Sequence, residues 1–296
     1  MYAHQMFSFS LQAHVLPLVV FLAMAAVGLE LQWRHFQSLF ARPRVPVLGT
    51  LVHTLTFPLI AMILIFAAKF VELAISDATI MGILLIAACP SGGFSNVLAL
   101  MAKVNLPLSV MLTVVSSLGS FLTVPLLMGG FGLLVAELQE PVRLPVIQTL
   151  VQLFLLVVLP IAVGMGLRQM KPRWVDQHMV RLQQVTQLAL YAVAAGIVVE
   201  NFSVMRAGFS EAIPWSIALC AVNIAACFVF AKWVGLTLDD AVTVALEGSI
   251  RNLAVAFLIA GVVLNRLDIA VLPTVYFGAV LVVAILFAKT WRLYLR

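Results

Sequence analysis

Residues 89–96 read CPSGGFSN and residues 246–252 read LEGSIRN. Each segment sits inside an apolar run, 79–102 and 240–263, long enough to cross a bilayer. In the first run a proline and two glycines are expected to break the helix near mid-membrane, since proline lacks the backbone donor and glycine loses backbone order. In the second, Gly248 stands beside Glu247, with Arg251 four residues on. After each break comes an asparagine and an apolar run, Asn96-Val-Leu-Ala-Leu-Met and Asn252-Leu-Ala-Val-Ala-Phe. Paired interrupted helices running in opposite directions are the sequence mark of a transporter built from inverted repeats, with its site between the breaks.

The rest of the chain agrees. Of 296 residues, 64% are hydrophobic and 10% charged, against roughly 45–50% and about 25% in a soluble domain. That balance excludes a soluble enzyme, a disordered chain and a nucleic-acid binder. Nine apolar stretches can be read, near 13–31, 46–67, 79–102, 107–136, 145–167, 185–204, 212–232, 240–263 and 269–291. The expected fold class is an all-α polytopic membrane protein with about nine transmembrane helices. The N-terminal MYAHQMFSFSLQAH lacks the basic region of a cleavable signal peptide, so the first stretch is read as a retained span. All five tryptophans are expected near span ends, where their rings favour the headgroup boundary.

Lys and Arg alternate by loop. Twelve fall on one side, four (Lys69, Arg143, Arg206 and Arg266) on the other, and Arg251 lies between. The positive-inside rule then puts the N-terminus outside and the C-terminus in the cytoplasm, in the cell inner (plasma) membrane. The net charge of +5 is thus a topology signal, with no nucleic-acid partner implied. Three cysteines, Cys89, Cys220 and Cys227, lie in apolar runs and form neither a disulfide framework nor a CxxC pair.

Charges inside spans are costly, about 2.5–3.5 kcal/mol each on insertion scales. Glu247 and Arg251 lie well inside the eighth stretch, His53 inside the second, and Glu200 near the end of the sixth. A plain reading pairs Glu247 with Arg251 at i and i+4. It leaves unexplained why polar residues gather on the other broken helix. These are Ser95, Asn96, Ser109 and Thr113, the last two sharing one helical face. Each hydroxyl alone commonly back-bonds to its own helix. With a carboxylate they make a set of oxygens suited to a hard cation such as sodium.

These residues carry a resemblance to the bile acid:sodium symporter family over nearly the whole chain. It includes VGLELQWRHFQSLFARP after the first span, the Pro-containing second span, CPSGGFSN followed by LPLSVMLT, and ExxxRN in the eighth. The resemblance implies a fold like that of the sodium/proton antiporter NhaA, in which a core with two crossing broken helices moves against a panel. It assigns the core to about 46–136 and 212–291 and the panel to about 13–31 and 145–204. It also implies a sodium site at Ser95, Asn96, Ser109, Thr113 and Glu247. The family's second sodium site maps to the same glutamate with His53 and Arg251, where two glutamines are usual. An arginine offers no acceptor, so that site is altered and one sodium is expected. Substrate is expected at Asn252, Gly93 and Gly248, around the crossing. The last span reads PTVYFGAVLVVA, without the Trp-His-Asn stretch of bile-acid carriers, which favours a small carboxylate or keto acid over a bile acid.

The expected function is sodium-coupled symport of a small organic anion, not catalysis. No HExxH, GxSxG or paired membrane aspartates are present. A proton-coupled or sodium-independent carrier using His53 and Glu247 is the nearest rival, followed by a channel. An arsenite-type carrier using Cys89 stands further off.

Overall fold

The computed structural model describes residues 14–31, 43–134 and 145–294. The QWRHFQSLFAR segment, most of the N-terminal stretch, Trp33, and Arg34, Arg42, Arg143 and Arg296 lie outside those residues.

The described chain is helical, with α1 at Leu16–Leu29, α2 at Arg44–Phe70, α3 at Asp77–Ala88, α4 at Phe94–Ala102 and α5 at Leu106–Leu134. There follow α6 at Val146–Leu153, α7 at Leu159–Met170, α8 at Pro172–Glu200, α9 at Phe202–Trp233, α10 at Leu238–Ser249, α11 at Leu253–Phe257 and α12 at Val271–Tyr294. Among the described residues six helical runs are long and apolar enough to cross a membrane: Arg44–Phe70, Leu106–Phe131, Val146–Met170, Pro172–Glu200, Met205–Trp233 and Leu267–Leu293. Shorter apolar helices accompany them at Leu16–Leu29, Asp77–Ala88 and Leu253–Val263. The chain is a multi-pass α-helical membrane protein.

The two breaks have local causes. Ser76 caps α3 by accepting from the Thr79 amide, and the helix stops at Cys89, whose extended backbone is the conformation that a following proline imposes. The chain re-enters helix at Phe94 and leaves it at Lys103, in the left-handed region (φ 58°). In the partner rod, Thr237 caps α10 by accepting from the Asp240 amide, with Asp239 and Asp240 favourable to the helix dipole in the first turn. That helix ends at Ile250, and Asn252 starts the next by accepting from the Ala254 and Val255 amides. Gly248, next to the break, is still helical. A Cβ there would lie 2.7 Å from Cys227 Sγ and 3.3 Å from His53 Cβ, so close packing accounts for this glycine.

Two expectations about boundaries need correction. The sixth and seventh stretches start earlier than 185 and 212, at Pro172 and Phe202, and only Asn201 lies between the helices. Arg206, counted above with the loop charges, belongs to α9, as does Glu211. Glu211 accepts from the Ser76 amide at 2.7 Å and from its hydroxyl at 2.8 Å, tying α9 to the start of α3. Trp215 accordingly lies within α9 and not at its end.

Helix α1 packs on α7 and α8, while α9 packs on α2, α10 and α12. The α1–α7 contact depends on small residues. A Cβ on Gly28 would stand 2.2 Å from the Ile161 carbonyl oxygen, and one on Gly164 would stand 2.1 Å from that of Ala25. Such close approach is how apolar helices gain packing where water supplies no drive.

Candidate functional site

The site lies where the two broken rods meet. Their non-helical links run antiparallel and touch as a one-residue bridge between Ser91 and Arg251. The Asn252 amide donates to the Pro90 carbonyl at 2.8 Å, and the Gly92 amide to the Ile250 carbonyl at 3.0 Å. Helix ends leave carbonyls without partners, and side chains take up several of those here. Asn223 Nδ2 donates to the Gly248 carbonyl at 2.9 Å, and Tyr276 Oη donates to that of Ser249 at 2.7 Å. Arg251 Nη1 donates to the Cys89 carbonyl at 3.0 Å. Neither Asn223 nor Tyr276 was singled out from the sequence.

Glu247 is fully buried beside this crossing. Its Oε1 accepts from the hydroxyls of Ser91 and Thr113, each at 2.6 Å, and its Oε2 from that of Ser109 at 2.8 Å. Ser109 and Thr113 do share a face of α5. Ser109 Oγ also lies 2.9 Å from Asn96 Oδ1. Ser95 stands one step away, donating to the Gly92 carbonyl at 2.9 Å and lying 3.4 Å from Thr113 Oγ1. The five oxygen-bearing residues named from the sequence are therefore gathered in one place. The sequence reading missed Ser91, which lies inside CPSGGFSN, and Ser116, whose Oγ is 2.7 Å from that of Ser91. The i, i+4, i+7 spacing of Ser109, Thr113 and Ser116 was the available signal.

Each hydroxyl has one proton. With the Ser109 proton directed at Glu247, its oxygen and the Asn96 carbonyl oxygen lie 2.9 Å apart with no proton left between them. An oxygen-rich cluster around a buried carboxylate can accept a hard cation. Among the described residues, no three His, Cys, Asp or Glu side chains converge in the manner of a transition-metal site.

Glu247 and Arg251 do not pair as a helical i, i+4 couple, because the helix stops between them and their side chains go to different partners. Arg251 is 4% exposed. Its Nη2 donates to the His53 carbonyl at 3.0 Å, and its guanidinium lies 4.4 Å above the Phe57 ring. His53 and Arg251 are thus in contact, through the histidine's backbone. The His53 ring is fully buried, and neither ring nitrogen has a hydrogen-bond partner.

Two cavities adjoin the crossing. The smaller, about 60 Å³, touches Ser91, Gly93, Arg251 and Asn252. The larger, about 610 Å³, runs from Gly93, Asn96 and Thr113 to Glu30 and a face of α8, a volume in the range of small-molecule sites. Gly93 lines both, and a Cβ on it would meet nothing within 4 Å. Asn252 lines the smaller cavity, while Gly248 lines neither.

Comparison with known proteins gives a family and two relatives. An uncharacterized sodium-dependent transporter, YocS, of Bacillus subtilis (strain 168) is 28% identical over 179 residues, covering 60% of this chain and 52% of that protein. A probable chloroplastic sodium/metabolite cotransporter of Oryza sativa subsp. japonica is 24% identical over 241 residues, covering 80% of this chain and 54% of that protein. The aligned part of the chain thus spans about half the length of these curated relatives. The model of the Sodium Bile acid symporter family matches residues 17–207, which takes in CPSGGFSN, Ser109 and Thr113 and stops before Glu247. With that match over most of its length, the chain belongs to the sodium bile acid symporter family.

Proposed function

We propose that this protein is a secondary transporter that couples sodium to the symport of a small organic anion by alternating access. The observation that carries the reading is the buried Glu247 carboxylate with its ring of hydroxyls, set at the crossing and beside a cavity of ligand size. One sodium is held by Ser95, Asn96, Ser109, Thr113 and Glu247. The anion sits against Asn252 and Gly93, with Gly248 in the packing behind them. A carboxylate or keto acid is preferred to a bile acid, as the last span lacks the Trp-His-Asn stretch.

Nine crossings result when each broken rod is counted with both of its halves and α1 is included. The core, about 46–136 and 212–291, moves against the panel, about 13–31 and 145–204. The protein lies in the cell inner membrane with its N-terminus outside and C-terminus in the cytoplasm. On that assignment the larger cavity, which reaches Glu30 at the end of α1, faces inward.

Arg251 takes the place of a second sodium. Its guanidinium occupies backbone carbonyls of two helices, which a second ion would otherwise need, and its charge opposes a further cation nearby.

Thermal unfolding of the purified protein in sodium chloride against choline chloride tests the ion site, since a ligand of the folded state raises its stability. Sodium should raise the melting temperature of the wild type and not of Glu247→Gln. In proteoliposomes, labelled sodium should enter the wild type and not the variant. An equal sodium response in both proteins would overturn the site.

A further inference from the structure

The larger cavity has an end that the sodium site does not explain. Away from the crossing it is lined by Glu30 and by Gln183, Gln184 and Gln187 of α8. Gln183 and Gln187 are one helical turn apart, on the face that meets α1. Gln183 Nε2 donates to Glu30 Oε1 at 2.5 Å, which orients the carboxylate and leaves its other oxygen without a protein donor among the described hydrogen bonds. Among the described residues Glu30 is the only titratable side chain on that lining.

The spacing to the crossing follows from α1. Met24 Sδ lies 3.9 Å from Asn252 Nδ2, and Glu30 is six residues further along. At 1.5 Å per residue that is about 9 Å. Gly93 lines both cavities, so a solute whose carboxylate sits at Asn252 in the smaller one passes Gly93 and extends its far end through the larger one towards Glu30.

We propose that the cavity takes an ω-amino acid: an organic acid whose far end is an ammonium held by Glu30 and the glutamine amides. This rests on the organic-anion reading above and narrows it. A carboxylate accepts hydrogen bonds and cannot donate them, so it suits an ammonium and leaves a methyl end without a partner. A dicarboxylate would set like charges together in a partly enclosed site, where repulsion is poorly screened.

Three acids of one length decide it: 6-aminohexanoate, hexanoate and adipate, titrated by thermal shift against the purified full chain in sodium chloride and in choline chloride. 6-Aminohexanoate should stabilise the wild type at concentrations about tenfold lower than the other two. The Glu30→Gln variant should bring the three acids within about threefold of one another, and Glu30→Asp should restore part of the preference. Hexanoate or adipate binding as well as the amino acid, or a preference unchanged in Glu30→Gln, would overturn the proposal. The sodium reading would survive that result if sodium alone still shifted the wild type and not Glu247→Gln. Absence of any shift with all three acids would overturn the ω-amino acid site and, if sodium too gave none, the coupling as well.

Discussion

Ser91 and Arg251 are joined as an antiparallel backbone bridge, while the Ser91 hydroxyl reaches Glu247 at 2.6 Å. Ser91 therefore sits at the centre of the link, whose cross-bonds are made by its neighbours Pro90 and Gly92, and enters the carboxylate cluster by its side chain. The oxygen cluster and the guanidinium thus meet the same link, one through the Ser91 hydroxyl and the other through the Cys89 carbonyl.

Ser91→Ala removes one donor from a buried carboxylate. A hydrogen bond to a charged group is worth about 1.5–3 kcal/mol, so the melting temperature in sodium-free buffer should fall. Saturating sodium should restore part of the loss. A variant as stable as the wild type in both buffers would show that Ser91 does not hold Glu247.

Arg251 sets the expected stoichiometry. Sodium titrations of uptake or binding should give a Hill coefficient of about one, because a second cation would meet a fixed charge in a weakly screened site. Arg251→Gln alone should impair transport, leaving the Cys89 and His53 carbonyls with a poorer donor. Combined with His53→Gln, it should admit a second ion and raise the coefficient. Cooperative binding of two ions by the wild type would refute the assignment.

Labelling of single cysteines, in a background with the native thiols replaced, should separate the two glycines. Gly93→Cys, in open space on both cavities, should react with a soluble maleimide and slow when sodium and a transported acid are added. Gly248→Cys, packed between α9 and α2, should stay unreactive throughout. Fast reaction at Gly248→Cys would mean that the crossing opens there.

The α1–α7 contact is testable by volume. Gly28→Val places a side chain against the Ile161 carbonyl, and overpacking of this kind costs about 1–3 kcal/mol or more. Gly119→Ala, inside α5 with nothing within 4 Å of its new Cβ, should stabilise by about 0.5–1 kcal/mol instead. Melting temperatures that move together would place the origin of the first effect elsewhere.

Much of this molecule was legible in its sequence because the membrane forces local rules. Apolar length marks the helices, and proline with glycine marks the break at 89–93. The oxygen set of Ser95, Asn96, Ser109, Thr113 and Glu247 could be named because isolated polar groups in an apolar run need a reason. What could not be read were partners distant in sequence. Tyr276 and Asn223 look like ordinary span residues until their contacts with the carbonyls of Ser249 and Gly248 are seen. Glu211 fell between the sixth and seventh stretches because hydropathy does not register that Ser76 receives it. The i, i+4 pairing of Glu247 and Arg251 failed for a related reason: the spacing has meaning only on an unbroken helix, and this one ends at Ser249.

The carbonyls at the crossing have a consequence for the unloaded protein. Those of Cys89, Pro90, Gly248, Ser249 and Ile250 each accept a hydrogen bond from the chain itself, so these five need no ion to be satisfied. A symporter must return empty after each delivery, and the return is slow if the vacant site collapses and has to be rebuilt. A crossing stapled by its own residues would start each turnover with its geometry intact.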